Sequence, residues 1–536
     1  MIAPLSFETL TLEQKIAQMF VIRASGHLFD SQIRYPAWEP QRKTLKRWIS
    51  ELGIGGVLLI DGSAVELHLR TQQLQEWAEI PLLLCADIEE GVGQRFAGAT
   101  WFPPPMALSE IASRDWTRAI EYAEQMGAIT AREALATGLN WILAPVVDVN
   151  NNPDNPVINV RSIGQTPEVV SALATAFLRG TQRFPVLATA KHFPGHGDTS
   201  VDSHWELPTI AHDLDRLTQV ELPPFEAAIE AGVDAVMSAH LRVPAWDAEQ
   251  PATMSKRILT EQLRGKLGFE GLVVTDALVM GAIANRYDAN EAPILAIEAG
   301  NDIVLMPSDP EGGIRAVCDA VRSGRISIDR IHQSLDRIRQ AKLKVFSEPP
   351  SSTLPLSDLD RIATPDAIHL SESILRDSSC SQGASLPTVT SGRNVVIVDD
   401  WLRCSYLGHH TPAIALPKQH GYTPYLIDLN GDRQPPETGT GEPTILQIFV
   451  RGNPFGSSRS IAVLGEAWLN KLLKTGDLEA VAIYGSPYTY QNLSQNLPSQ
   501  LPTVFSFGQM PQAQTVTLGI LFGQTAVNWS SLKPLA

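Results

Sequence analysis

Short apolar runs, several of them ending in a polar or charged residue, recur through the first three hundred residues. They fall at Met19 to Arg23, Gly56 to Asp61, Leu82 to Asp87, Trp141 to Asp148, Val186 to His192, Val233 to His240, Leu272 to Asp276 and Asp302 to Met306. A nearly continuous apolar strand is one buried on both faces, and its polar tip marks where the chain emerges at a surface. Helical patterns lie between the runs. Thr166 is placed to cap a helix over Pro167 to Arg183, with Pro167 in its first turn and Val170, Leu173 and Phe177 along one face. Another follows Ser255, with Leu259, Leu263 and Leu267 spaced for burial. Eight strands alternating with helices predict an α/β fold of the (β/α)8 barrel type, in which the carboxyl ends of the strands carry the chemistry. An open doubly wound sheet shares the alternation and is the competing expectation.

Past the eighth run the texture changes. Ser347 to Pro365 is rich in Ser and Pro, opening SEPPSSTLPLSDLD, and predicts a connector. The expected division is a barrel domain over 1–346, a linker over 347–370 and a smaller α/β sandwich domain over 371–536. In the last part Asn394 to Asp399, Ala413 to Leu416, Tyr425 to Leu429, Thr444 to Val450, Ala480 to Tyr484 and Thr503 to Phe507 read as strands, and Leu464 to Leu473 as a helix. A chain of 536 residues has enough length for two such cores.

Charge and composition narrow the function classes. A formal net charge of −16 opposes binding to nucleic acid, and no basic patch offsets it. The opening MIAPLSFETLTLEQ lacks the positive start and apolar stretch of a secretory signal, and no run reaches the roughly 18 apolar residues of a membrane span. The expectation is a soluble, cytoplasmic protein. Cys85, Cys318, Cys380 and Cys404 are scattered without a CxxC pair, which reads as buried thiols.

The candidate chemistry concentrates at the predicted strand tips. After the fifth run comes KHFPGHGDTSVDSHWELP, Lys191 to Pro208. Lys191 and His192 sit where a buried strand would meet the barrel mouth, and Pro194, Gly195 and Gly197 make the following loop irregular. Asp202 and His204 stand two residues apart, a spacing at which a carboxylate can bond one imidazole nitrogen and present the other to a substrate. Three readings compete: mutually bonded loop staples, a metal site built from His192, His196, Asp198, Asp202 and His204, and acid/base catalysis by His204 backed by Asp202. Asp276 ends the seventh run between apolar stretches, a position suited to a buried structural carboxylate or to nucleophilic attack on an anomeric carbon. Asp87 with Glu89, Glu90 and Arg95, then Asp148 and Arg161, and finally His240, occupy other tips.

KHFPGHGDTSVDSHWELP resembles the signature of the bacterial β-N-acetylglucosaminidase branch of glycoside hydrolase family 3, and CADIEEGVGQRF, NNPDNPVINVRSIG, VMSAHLRVPAWD, PATMSKRILTEQLRGKLGFEGLVVTDALVMGAI and AIEAGNDIVLMP extend the likeness in order along the first domain. The resemblance implies Asp276 as nucleophile, His204 as acid/base and Asp202 as its partner, with Asp87, Arg95, Arg161, Lys191 and His192 holding the terminal sugar. It also implies retention of configuration, no metal and no organic cofactor. Where many relatives read DQEGGRVQR this chain reads DIEEGVGQR, with Asp87 and Arg95 still aligned, and Thr275-Asp276-Ala277 replaces the commoner SDD or SDA. The expected partner is a carbohydrate, with cell-wall fragments as the expected source, and the expected state is a monomer. A β-glucosidase, a phosphorylase in which a neutral His tolerates incoming phosphate, and a sugar-binding protein without turnover are the alternatives.

Overall fold

The computed structural model describes residues 7–346, 355–386, 391–431, 435, 439, 441–451, 458–495 and 497–523. They fall into two compact units. The first comprises Met1–Trp101, Asp115–Asn155 and Arg161–Ile368, the second Phe102–Arg114, Pro156–Val160 and His369–Ala536. Of the expected linker, residues 347–354 lie outside the described residues, and a helix already begins within its far end, at Pro365.

In the first unit every predicted run overlaps a strand: β1 (Phe20–Ser25), β2 (Gly56–Ile60), β3 (Leu83–Ala86), β4 (Trp141–Ile142), β5 (Leu187–Phe193), β6 (Ala235–Ser238), β7 (Leu272–Thr275) and β8 (Val304–Leu305). Consecutive strands pair in parallel, β8 pairs with β1, and a bridge between Val274 and Ile303 joins β7 to the segment entering β8. The sheet therefore closes, which an open doubly wound sheet cannot do. Between strands lie helices such as Pro167–Thr181, which Thr166 caps with Pro167 in the first turn. Trp141 fills part of the interior, its ring N–H donating to Thr189 Oγ1 at 2.7 Å so that no polar atom of the indole is stranded.

The end of the barrel where the strands begin is held by charge. Asp302, fully buried ahead of β8, accepts from Arg264 (2.5 Å), Ser334 (2.7 Å), Arg337 (3.1 Å) and the Val273 amide (3.0 Å). Ser334 and Arg337 come from the helix Ile328–Val345, so this one carboxylate ties that helix to β7 and β8.

The second unit carries a sheet of β9 (Cys380–Gln382), β10 (Gly392–Ile397), β11 (Tyr422–Ile427), β12 (Thr444–Val450), β13 (Leu478–Gly485) and β14 (Thr503–Ser506), in the order β9-β14-β13-β12-β10-β11. Only β9 runs antiparallel to its neighbour. The helix Ser458–Thr475 contains the predicted Leu464 to Leu473. One expectation is corrected: Ala413 to Leu416, read as a strand, lies in the helix Pro412–Gln419. Pro412 to Pro417 are all buried, and an unbroken apolar run has no periodicity to separate a buried helix from a buried strand.

Candidate active site

The carboxyl ends of β3, β4, β5 and β7 converge on one set of ionisable side chains. Just past β3 the chain enters a turn at Glu89, and the carboxylates of Asp87 and Glu89 both reach one partner. That partner is Lys191 on β5, whose Nζ lies 2.7 Å from Asp87 Oδ1 and 2.7 Å from Glu89 Oε1. Arg161 grips Glu89 with two bonds, Nε to Oε2 at 2.9 Å and Nη2 to Oε1 at 2.7 Å. Burial works against the charge on Glu89, but Arg161 and Lys191 outweigh it and hold its carboxyl well below the usual range. Burial likewise opposes the Lys191 ammonium, and Asp87 and Glu89 reverse the sign and raise it. Arg95 donates from Nε to the Asp87 carbonyl at 3.1 Å, so the altered DIEEGVGQR segment still folds Arg95 back onto Asp87.

At the tip of β5 the ladder with β6 skips a residue. Lys191 faces Met237 and Phe193 faces Ser238, leaving His192 as an extra residue. Such a bulge frees a backbone donor and re-aims a side chain. The freed His192 N–H goes to Asp148 Oδ1 at 3.1 Å, and His192 Nδ1 sits 2.8 Å from Asp148 Oδ2. Asp148 also accepts from the His196 amide at 2.7 Å. His196 is itself buried between Thr199 Oγ1 (2.9 Å) and Ser203 Oγ (3.0 Å), and burial pulls its pKa down to about 4, leaving it neutral at ordinary pH.

The loop beyond is shaped by close backbone contact. A Cβ on Gly197 would stand 1.8 Å from the Val149 carbonyl oxygen, so only glycine fits. Asn155 bonds the carbonyls of His196 and Gly197, each at 2.8 Å. Further along, Asp202 Oδ1 accepts from both the backbone N–H and the ring Nδ1 of His204, each at 2.8 Å, which fixes the proton on Nδ1 when the ring is neutral.

Asp276 follows β7 directly, its Oδ1 accepting from the Ala277 amide at 2.8 Å. Burial again disfavours the charge, yet His192, His240, that amide and His204 bring its pKa down to about 2. Burial lowers the pKa of His240, which is bonded through Nδ1 to Thr253 Oγ1 (2.7 Å) and through Nε2 to the Ala277 carbonyl (3.0 Å). All eight residues singled out in the sequence thus stand in the barrel unit, at or beyond strand tips. Sequence reasoning noted Glu89 among the residues at the strand tips without giving it its part in holding Lys191 and Arg161, and it left Asp148 and His196 without the roles their bonds give them.

The donors considered for a metal are spent on neighbours: His192 on Asp148, His196 on Thr199 and Ser203, Asp198 on His212 at 2.9 Å, and Asp202 on His204. Among the described residues no group of three His, Cys, Asp or Glu side chains is arranged to hold an ion.

Comparison with known proteins places this geometry in a family. Residues 11–341 match the glycosyl hydrolase family 3 N-terminal domain, and residues 385–523 the bacterial glycosyl hydrolase family 3 C-terminal domain. The chain is 35% identical over 346 residues to a protein named β-hexosaminidase A from Pseudoalteromonas piscicida, covering 59% of this chain and 57% of that one. It is 31% identical over 301 residues to a β-N-acetylglucosaminidase/β-glucosidase from Cellulomonas fimi, covering 54% and 52%. The chain therefore spans about half the length of these two relatives. Among solved structures, a family 3 β-N-acetylglucosaminidase from Paenibacillus sp. str. FPU-7 superposes with a TM-score of 0.77 at 31% identity, covering 97% of this chain and 98% of that one. With the first domain model running through the whole barrel and the second through the following sheet, the chain belongs to glycosyl hydrolase family 3.

Proposed function

We propose that the chain is a retaining β-glycoside hydrolase that releases terminal non-reducing N-acetylglucosamine. The observation that carries this is Asp276, a carboxylate kept ionised among His192, His240 and His204 at the tip of β7, together with the bonded Asp202–His204 pair. The names of the relatives support the substrate class. In the first step Asp276 attacks the anomeric carbon; the C1–Oδ bond forms, the glycosidic bond breaks, and the leaving oxygen takes a proton from His204 Nε2. In the second, His204 Nε2 takes a proton from water as its oxygen displaces Asp276 from C1, so configuration is retained. Asp202 holds the ring in the tautomer both steps need. Asp87, Arg95, Arg161, Lys191 and His192 orient the sugar, with Glu89 keeping Lys191 and Arg161 in place. Cell-wall fragments bearing β-linked N-acetylglucosamine are the natural substrate class this reading implies.

The test is release of 4-nitrophenol from the β-N-acetylglucosaminide and the β-glucoside, with and without phosphate, by wild type and Asp276→Ala. Faster turnover of the N-acetylglucosaminide, independent of phosphate, and a loss on the order of 10⁴-fold in the variant are expected. Equal rates on both sugars would remove the specificity, and a glycosyl phosphate product would replace water with phosphate as acceptor.

A further inference from the structure

The short helix Gly281–Ala284 begins five residues beyond Asp276. The first N–H groups of any helix have no partner within it and must find one outside. Here the N-cap residue, Met280, supplies no side-chain bond. Instead the partners come from the loop bearing the Asp202–His204 pair: Gly281 N–H donates to the His204 carbonyl at 2.9 Å and Ala282 N–H to the Ser203 carbonyl at 3.3 Å. One turn on, Asn285 Nδ2 donates to the Trp205 carbonyl at 3.4 Å. The loop is therefore docked, carbonyl by carbonyl, on the helix that follows the nucleophile strand.

The approach leaves no room for a side chain. A Cβ on Gly281 would lie 2.7 Å from the His204 carbonyl oxygen and 2.9 Å from both the Trp205 carbonyl oxygen and Asn285 Nδ2. Gly281 does not have the positive φ of the glycines that need left-handed backbone, so what is demanded is space rather than conformational freedom. The stem of the same loop is fastened by other means, with Asp198 against His212 and Arg216.

We infer that Gly281 is a positioning residue, setting the distance between His204 and Asp276 by receiving the His204 carbonyl on its own amide. The inference rests on the acid/base reading of His204. One contiguous segment, Asp276 to Ala282, then carries the carboxylate at one end and the dock for the proton donor at the other. Reacting groups displaced by about 1 Å can lose on the order of 10²-fold in rate, and an added methyl group forces a shift at the dock alone.

The experiment compares 2,4-dinitrophenyl and 4-methoxyphenyl β-N-acetylglucosaminides, whose leaving groups need little and much protonation. In Gly281→Ala, kcat/KM should fall on the order of 10²-fold for the methoxyphenyl glycoside and change little for the dinitrophenyl one. Azide, which needs no deprotonation to attack C1, should raise the slow turnover of the dinitrophenyl glycoside and give glycosyl azide. Thermal unfolding of each variant reports on folding. Asn285→Ala, at an exposed position, should show the same dependence at smaller size, and it decides the question if Gly281→Ala does not fold. Equal loss on both glycosides, or no loss in a folded Gly281→Ala, overturns the inference while leaving the acid/base reading intact. If His204→Ala itself shows no leaving-group dependence, or wild type cleaves neither glycoside, the acid/base reading fails and the inference goes with it.

Discussion

A histidine and an aspartate show how differently one environment treats two charges. His196 and Asp276 both feel burial, but His196 is pushed to about 4 because its proton would be a buried cation, whereas Asp276 is drawn to about 2 because several imidazoles and an amide face it. The consequences for stability follow from the sign. His196 titrates below its unfolded value of 6.5, so its contribution is whole above pH 6.5 and is lost as pH falls through 4. Asp276 also titrates below its unfolded value of 3.8, so its contribution is whole above pH 3.8 and is lost as pH falls through 2. Between pH 6.5 and 4 wild type should therefore lose about 3 kcal/mol of unfolding free energy through His196, a loss that urea titrations would find flattened in His196→Gln, while Asp276 stays ionised. The residues of the site that were legible in the sequence are those whose burial clashed with their charge at a strand tip, such as Lys191 and Asp276. Glu89 and His196 were not, since their meaning comes from Arg161, Lys191, Thr199 and Ser203, which only the fold brings beside them.

Elements were legible where a period or a cap announced them. The eight barrel strands, the helix capped by Thr166 and the helix around Leu464 all carry such marks. The helix Pro412–Gln419 has none, since buried residues surround its axis, and Ala413 serves on two sides at once: its amide donates to Gln514 while its carbonyl accepts from Asn394 and Gln447. The skipped residue at His192 was equally invisible, because a bulge is a property of two strands and not of one. At this scale Asp302 is the critical joint. Asp302→Ala would leave Arg264, Arg330 and Arg337 around an empty position and should cost about 3–5 kcal/mol in denaturant unfolding. The surviving folded fraction should keep its kcat/KM, since the joint lies at the opposite end of the barrel from Asp276.

For the molecule as a whole, a charge of −16 sets how the surroundings are felt. A neutral sugar gains nothing from steering by that field, so kcat/KM for a neutral glycoside should vary by less than about 2-fold from low salt to about 0.5 M. A steep salt dependence would mean that the substrate bears charge. The closure of the barrel reaches further. A ribosome delivers β1 early, yet the neighbour that covers its outer edge, β8, is the last strand of the sheet to be made. Until then β1 waits with open backbone donors, an invitation to pair with the wrong chain. The segment around the nucleophile waits too, because Thr275 and Leu278 donate to the carbonyls of Ile303 and Leu305. A nascent chain halted before Ile303 would already hold all eight candidate side chains and still have no active site.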